Sequence, residues 1–323
     1  MWPELLAVAG GFLLLTWSAD RFVVGAASVA YNLNVSPLII GLTIVSLGTS
    51  APEMLVSAMA AWQGNSGLSI GNAIGSNIIN IALVLGLTAL IAPLDIHSSI
   101  LRRELPVLIV IMSITWLLLA DYDLGRVDGS MLLGGMVLML VWLTRLGIQS
   151  KGARDPMDAE YTEEIKTGMS MLQALAWLTI GALFLLISSR LLVWGAVAIA
   201  QDLGVSDLVI GLTIVALGTS LPELAASLMS AIKNEHDIAI GNIIGSNIFN
   251  LLAVLGLPGV IRPGGIDPAA VVRDFSVMFI LTLVLFVMAY GFRGPGRINR
   301  LEGATLLTAY IGYQTLLYFT ATA

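Results

Sequence analysis

Long apolar stretches alternate along the chain with short polar interruptions, and the pattern predicts ten membrane-spanning helices. The apolar segments fall near residues 3–30, 37–62, 69–92, 105–120, 129–147, 170–200, 207–232, 238–261, 275–291 and 302–320. Most reach the roughly 20 residues a helix needs to cross a bilayer. The first and sixth are longer than a perpendicular helix requires. The one long polar connection is residues 150–168, SKGARDPMDAEYTEEIKTG. Three parts follow: a five-helix repeat over 1–149, a linker over 150–168, and a second five-helix repeat over 169–323. The expected fold class is an all-α integral membrane protein.

Two stretches are written twice. GLTIVSLGTSAPE (41–53) returns as GLTIVALGTSLPE (211–223), and GNAIGSNIIN (71–80) as GNIIGSNIFN (241–250). Every position in the second copy is the first plus 170, with eleven of thirteen and eight of ten residues matching. That is an internal duplication. Weaker echoes lie outside the motifs, as Gly25 with Gly195, Ser36 with Ser206, and Arg103-Glu104 with Arg273-Asp274. Five spans per repeat is an odd number, so the second repeat enters the membrane inverted.

The loop charges orient the chain. One side carries Arg102, Arg103, Arg145, Lys151, Arg154, Lys166, Lys233, Arg293, Arg297 and Arg300, and the other only Arg126, Arg262 and Arg273. An excess of ten against three places the first side, with the linker, in the cytoplasm and both termini outside. Asp20, Arg21 and Arg190 lie near span ends and read as interfacial side chains.

Composition narrows the function classes. The chain is 57% apolar and 11% charged, which is that of an integral membrane protein embedded in lipid. It has no cysteine and two histidines, His97 and His236, both in predicted loops. Disulfides, thiolate metal sites and a nucleophile–histidine enzyme are excluded, and no cofactor is expected. No basic patch exists for nucleic acid, and no obligate protein partner is evident.

The repeated motifs carry the chemistry. Pro52 and Pro222 fall inside apolar segments, where proline removes a backbone bond and breaks the helix. Glu53 and Glu223 follow them, and an intramembrane carboxylate marks a functional site. Interrupted segments at matching positions of two halves point to a transporter site. Helical spacing puts Thr49 with Glu53, Ser76 with Asn80, Thr219 with Glu223, and Ser246 with Asn250 on shared faces. Ser50 and Ser220 lie beside the threonines. The resulting set is all oxygen, which suits Ca²⁺ and Na⁺ and not softer metals. Asn77, Asn247, Asn72 and Asn242 are candidates for capping broken helix ends.

These motifs resemble the two alpha repeats of the sodium/calcium exchangers in the cation/calcium antiporter superfamily. The resemblance covers essentially the whole chain, and HSSILRRELP (97–106) further resembles bacterial inner-membrane calcium/sodium antiporters. It implies a secondary transporter in the bacterial inner membrane that exchanges Ca²⁺ for Na⁺ by alternating access at a midplane site. Glu53 and Glu223 would hold the central cation. Thr49-Ser50 and Thr219-Ser220 would coordinate Ca²⁺ and Na⁺, and Ser76, Asn80, Ser246 and Asn250 would complete the sites. The first and sixth spans would slide over a fixed core. Asparagine at position 250, where potassium-dependent relatives carry aspartate, argues against potassium co-transport. A Ca²⁺/H⁺ antiporter is the alternative, because a buried carboxylate can also carry a proton.

Overall fold

A computed structural model of the chain describes residues 2–64, 66–96, 101–149, 169–203, 216–289 and 296–322. The linker at 150–168, His97, Ser206 and the start of the second motif copy at 211–215 lie outside the described residues.

The described residues are mostly helical. The helices are α1 (Trp2–Leu33), α2 (Pro37–Thr49), α3 (Ala51–Trp62), α4 (Ser66–Ile91), α5 (Leu101–Leu118) and α6 (Arg126–Gln149). In the second half they are α7 (Met171–Asp202), α8 (Ala216–Thr219), α9 (Leu221–Ile232), α10 (His236–Ile261), α11 (Ala270–Ala289) and α12 (Arg300–Thr322). Six of them, α1, α4, α6, α7, α10 and α11, are long and apolar enough to cross a membrane. The bent pair α2 and α3 makes a seventh. Helices α5, α9 and α12 stand where the sequence predicts the other three.

Proline writes the bend. Pro52 occupies the first turn of α3, where its missing N–H is tolerated, and it cannot continue α2. The chain turns at Ser50 (φ −83°, ψ 1°), and α2 and α3 meet at 45°. Ser220 repeats this backbone before α9 (φ −93°, ψ 6°), with Pro222 again in the first turn. In α4 and α10 the helices widen into π turns at Ile79–Leu85 and Asn250–Val254. Such turns concentrate at functional sites.

Helix α10 is the centre of the molecule. Its most apolar stretch is wholly buried, and α4 is mostly so, as expected of helices apolar all round. Close approach of α2 to α10 depends on Gly41 and Gly241. A Cβ on Gly41 would lie 3.1 Å from the Gly241 Cα and 2.8 Å from the Ile238 carbonyl oxygen.

The long helices α1 and α7 form a separate layer. Gly11 faces Leu192, Phe22 faces Gly181, Gly25 faces Leu178 and Val8 faces Gly195. Numbers rise on one helix as they fall on the other, so the pair is antiparallel. Each contact also has its counterpart 170 residues away. A Cβ on Gly25 or Gly181 would collide with the facing backbone, so small residues set this spacing. The pair has its own apolar cluster, to which the rest of the protein contributes only Ile40, Val45, Ala226 and Ile238 among the described buried residues. The main core lies chiefly in α4 to α6 and α10 to α12, with Leu38 and Leu42 of α2 and Ala231 of α9.

Among the described residues, two short antiparallel ribbons tie the halves together. β1 (Leu94–Ile96) pairs with β4 (Gly296–Ile298), and β2 (Asp123–Leu124) pairs with β3 (Gly264–Gly265).

Candidate cation site

The breaks in both halves point polar side chains at one another in the interior. Glu53 and Glu223 sit in the first turns of α3 and α9, each 1% exposed. Ser50 lies in the first break, yet its hydroxyl does not cap α3. It donates instead across the halves to Glu223 Oε1 at 3.2 Å.

Thr49 closes the same corner. Its hydroxyl donates to Asn242 Oδ1 at 3.0 Å and lies 3.5 Å from the Ser246 Oγ, both on α10. Ser76 and Ser246 are buried on α4 and α10, Ser220 is buried at the second break, and Thr219 is half-buried at the end of α8. Asn80 and Asn250 are 1% exposed and begin or occupy the π turns. All ten sequence-predicted site residues therefore fall at the two breaks or on the facing stretches of α4 and α10.

The helical-face argument for Thr49 and Glu53 is corrected by the fold. These residues belong to different helices, because the Pro52 break lies between them. The break, not 3.6-residue periodicity, brings them to the same place. Ser76 and Asn80 likewise straddle the start of a π turn, where ideal spacing no longer holds.

The asparagines expected as caps do other work. Asn77 and Asn247 lie inside α4 and α10, and each accepts a hydrogen bond from the opposite half. Asn250 Nδ2 donates to Asn77 Oδ1 at 3.1 Å, and Asn80 Nδ2 donates to Asn247 Oδ1 at 3.2 Å. Asn72 and Asn242 donate to the Glu53 and Glu223 carbonyls, at 3.2 and 3.4 Å. They tie α4 to α3 and α10 to α9 behind the carboxylates.

Among the ten site residues, five oxygens are left over. Glu53 Oε2, Glu223 Oε2, Asn80 Oδ1, Asn250 Oδ1 and Ser220 Oγ are buried with no hydrogen-bond partner. Buried polar atoms are normally satisfied, and each exception has a physical cause. These five oxygens come from both halves and include two carboxylates, and Asn247 Nδ2 is the one nitrogen left unpartnered beside them. The five oxygens are chemically suited to a hard cation.

A multi-pass helical membrane protein with paired broken helices around intramembrane carboxylates is a secondary transporter in class. The family described as Sodium/calcium exchanger protein matches residues 4–147 and 173–319, one match per half. CaxA of Alkalimonas amylolytica is 54% identical over 308 residues, covering 95% of this chain and 96% of its own. The inner membrane protein YrbG of Escherichia coli is 41% identical, covering 96% of this chain and 95% of its own. The sodium-calcium exchanger NCX_Mj, in a structure soaked with zero Na⁺ and Ca²⁺, superposes with a TM-score of 0.84 at 34% identity. That match covers 98% of this chain and 99% of the other. The Ca²⁺/H⁺ antiporter ChaA of Bacillus subtilis also matches, at 26% identity over 96% of this chain and 91% of its own. The chain belongs to the sodium/calcium exchanger family and is a transmembrane antiporter, not an enzyme.

Proposed function

We propose that the protein exchanges Ca²⁺ for Na⁺ across the bacterial inner membrane, with the cations bound between the two breaks. The reading is carried by the five buried, partnerless oxygens contributed by both halves. Glu53 and Glu223 balance one Ca²⁺, or nearly balance a few Na⁺. Thr49, Ser50, Ser76, Asn80, Thr219, Ser220, Ser246 and Asn250 supply neutral oxygens around them. Their number favours Na⁺ over a proton as the coupling ion, since a proton needs only a carboxylate.

Exchange follows from electrostatics. With no cation, two carboxylates face one another in a low-dielectric interior, and a buried uncompensated charge is costly. The protein therefore changes orientation when loaded and not when empty. The layer that moves is α1 with α7, because its apolar cluster is separate from the main core. The two halves, 1–149 and 169–323, act as inverted repeats around the site, joined by the 150–168 linker. Paired contacts 170 residues apart support that assignment, as does YrbG for the inner membrane. The transported ions and membrane lipid are the only partners this reading requires.

The test is Ca²⁺ uptake into proteoliposomes by purified Glu53→Gln and Glu223→Gln. Each removes one of two balancing charges, so transport should fall at least about a hundredfold while the protein remains folded. Exchange near the unsubstituted level in either variant would remove the assignment of the site.

A further inference from the structure

We propose that Asn77 and Asn247 are positioning residues. They hold the side-chain amides of Asn250 and Asn80 with oxygen, not nitrogen, toward the bound cation. The inference rests on the cation-site reading above and adds a role that the ligand set does not contain.

A primary amide has two ends of opposite polarity, an acceptor oxygen and a donor NH₂, of nearly the same size. At a cation site only one end is useful. Rotation of the amide by half a turn would replace an attractive oxygen with two N–H groups facing the ion. Some contact must therefore select the orientation.

In both halves the contact is an asparagine of the opposite half. Asn250 spends its Nδ2 on Asn77 Oδ1, and Asn80 spends its Nδ2 on Asn247 Oδ1. All four side chains are 1% exposed, so water is not available to take either role. The outcome is visible at the other end of each amide: Asn80 Oδ1 and Asn250 Oδ1 are both buried and without a partner. The selecting atom is the carbonyl oxygen of Asn77 or Asn247, which can accept but not donate.

The two pairs are not equally anchored. Asn77 Nδ2 donates to the sulfur of Met278 at 3.3 Å, which fixes its own amide. The position matching Met278 in the first half is Leu108, fully buried and without an acceptor. Asn247 Nδ2 is accordingly left without a partner. The Asn250 oxygen is thus held by a chain of two contacts and the Asn80 oxygen by one.

A double-mutant cycle separates positioning from packing. A carboxylate has no wrong end, so aspartate at position 250 needs no orienting partner. Ca²⁺ affinity is read from the Ca²⁺-dependent thermal shift of detergent-purified protein, and KM and Vmax from uptake into proteoliposomes. Asn77→Ala should weaken Ca²⁺ binding about tenfold when residue 250 is asparagine, about the worth of one misdirected hydrogen-bonding group, and raise KM with little change in Vmax. In the Asn250→Asp background the same Asn77→Ala change should cost less than about twofold, because both aspartate oxygens accept. Any effect of the added charge is common to both arms of that comparison. Equal cost in the two backgrounds would show that Asn77 packs or binds the ion itself, and would overturn the proposal. So would an unchanged affinity in Asn77→Ala alone. Asn247→Ala with and without Asn80→Asp repeats the cycle independently and decides the matter should Asn77→Ala fail to fold. A full Ca²⁺ shift in Glu53→Gln, where both asparagine pairs are intact, would instead remove the cation site and the positioning role with it.

Discussion

Ser50 Oγ donates a 3.2 Å hydrogen bond to Glu223 Oε1, whereas the hydroxyl of Ser220, its counterpart 170 residues on, is buried without a partner. The duplicated motif therefore gives two unlike serines. In cation-free protein, Ser50→Ala strips a carboxylate of a donor and should cost about 1.5 kcal/mol or more. Ser220→Ala removes an unsatisfied buried hydroxyl and should be neutral or stabilising. Thermal unfolding of the two variants in chelator without Na⁺ should show a lowered Tm for Ser50→Ala only. A larger loss for Ser220→Ala would contradict the asymmetry.

The chemistry of the site is more legible in the sequence than its geometry. Pro52 and Pro222 announce the breaks, because a missing N–H is a local property. Glu53 and Glu223 announce the site, because a carboxylate inside apolar sequence is costly wherever the chain folds. The partners of Asn77 and Asn247 carry no such local sign. Four asparagines stand at equivalent places in two copies of one motif. Only the antiparallel apposition of α4 and α10 decides that Asn77 meets Asn250 and Asn80 meets Asn247. Likewise the facing of Thr49 and Glu53 assumes an unbroken helix, which the proline beside them prevents. The β1–β4 and β2–β3 ribbons are too short for any strand pattern to register.

Asp20 of α1 lies 2.6 Å from Lys233, at the turn between α9 and α10. The pair joins the separate α1–α7 layer to the rest of the protein. Both side chains are about a third exposed, and such a pair is worth at most about 1 kcal/mol. If α1 moves during transport, this contact is made and broken in each cycle. Asp20→Asn should therefore change turnover by no more than about fivefold with the Ca²⁺ KM unchanged. Lys233→Asp should impair transport further by repulsion, and Asp20→Lys with Lys233→Asp should recover it. Absence of recovery in the swapped pair would show that the contact does not couple the layers.

From the loop charges we propose that both termini lie outside the cytoplasm and the linker inside. The chain contains no cysteine, so single cysteines report without background. Ala323→Cys should react with an impermeant maleimide in intact cells, and Asp158→Cys only after the membrane is opened. Labelling of both in intact cells would mean that the termini and linker share one side.

Sodium coupling is the central claim, and Ca²⁺ flux under one imposed gradient at a time tests it most directly. In the proposed site the neutral oxygens of Asn80, Asn250 and the serines would complete a shell for Na⁺, whereas a proton would need only a carboxylate. Proteoliposomes loaded with Na⁺ and diluted into Na⁺-free medium should take up Ca²⁺ rapidly. An imposed pH gradient without Na⁺ should drive little uptake, and the Na⁺-driven rate should vary only weakly with pH near neutrality. Uptake under the pH gradient alone, as fast as with Na⁺, would contradict the account and assign the protein to Ca²⁺/H⁺ exchange.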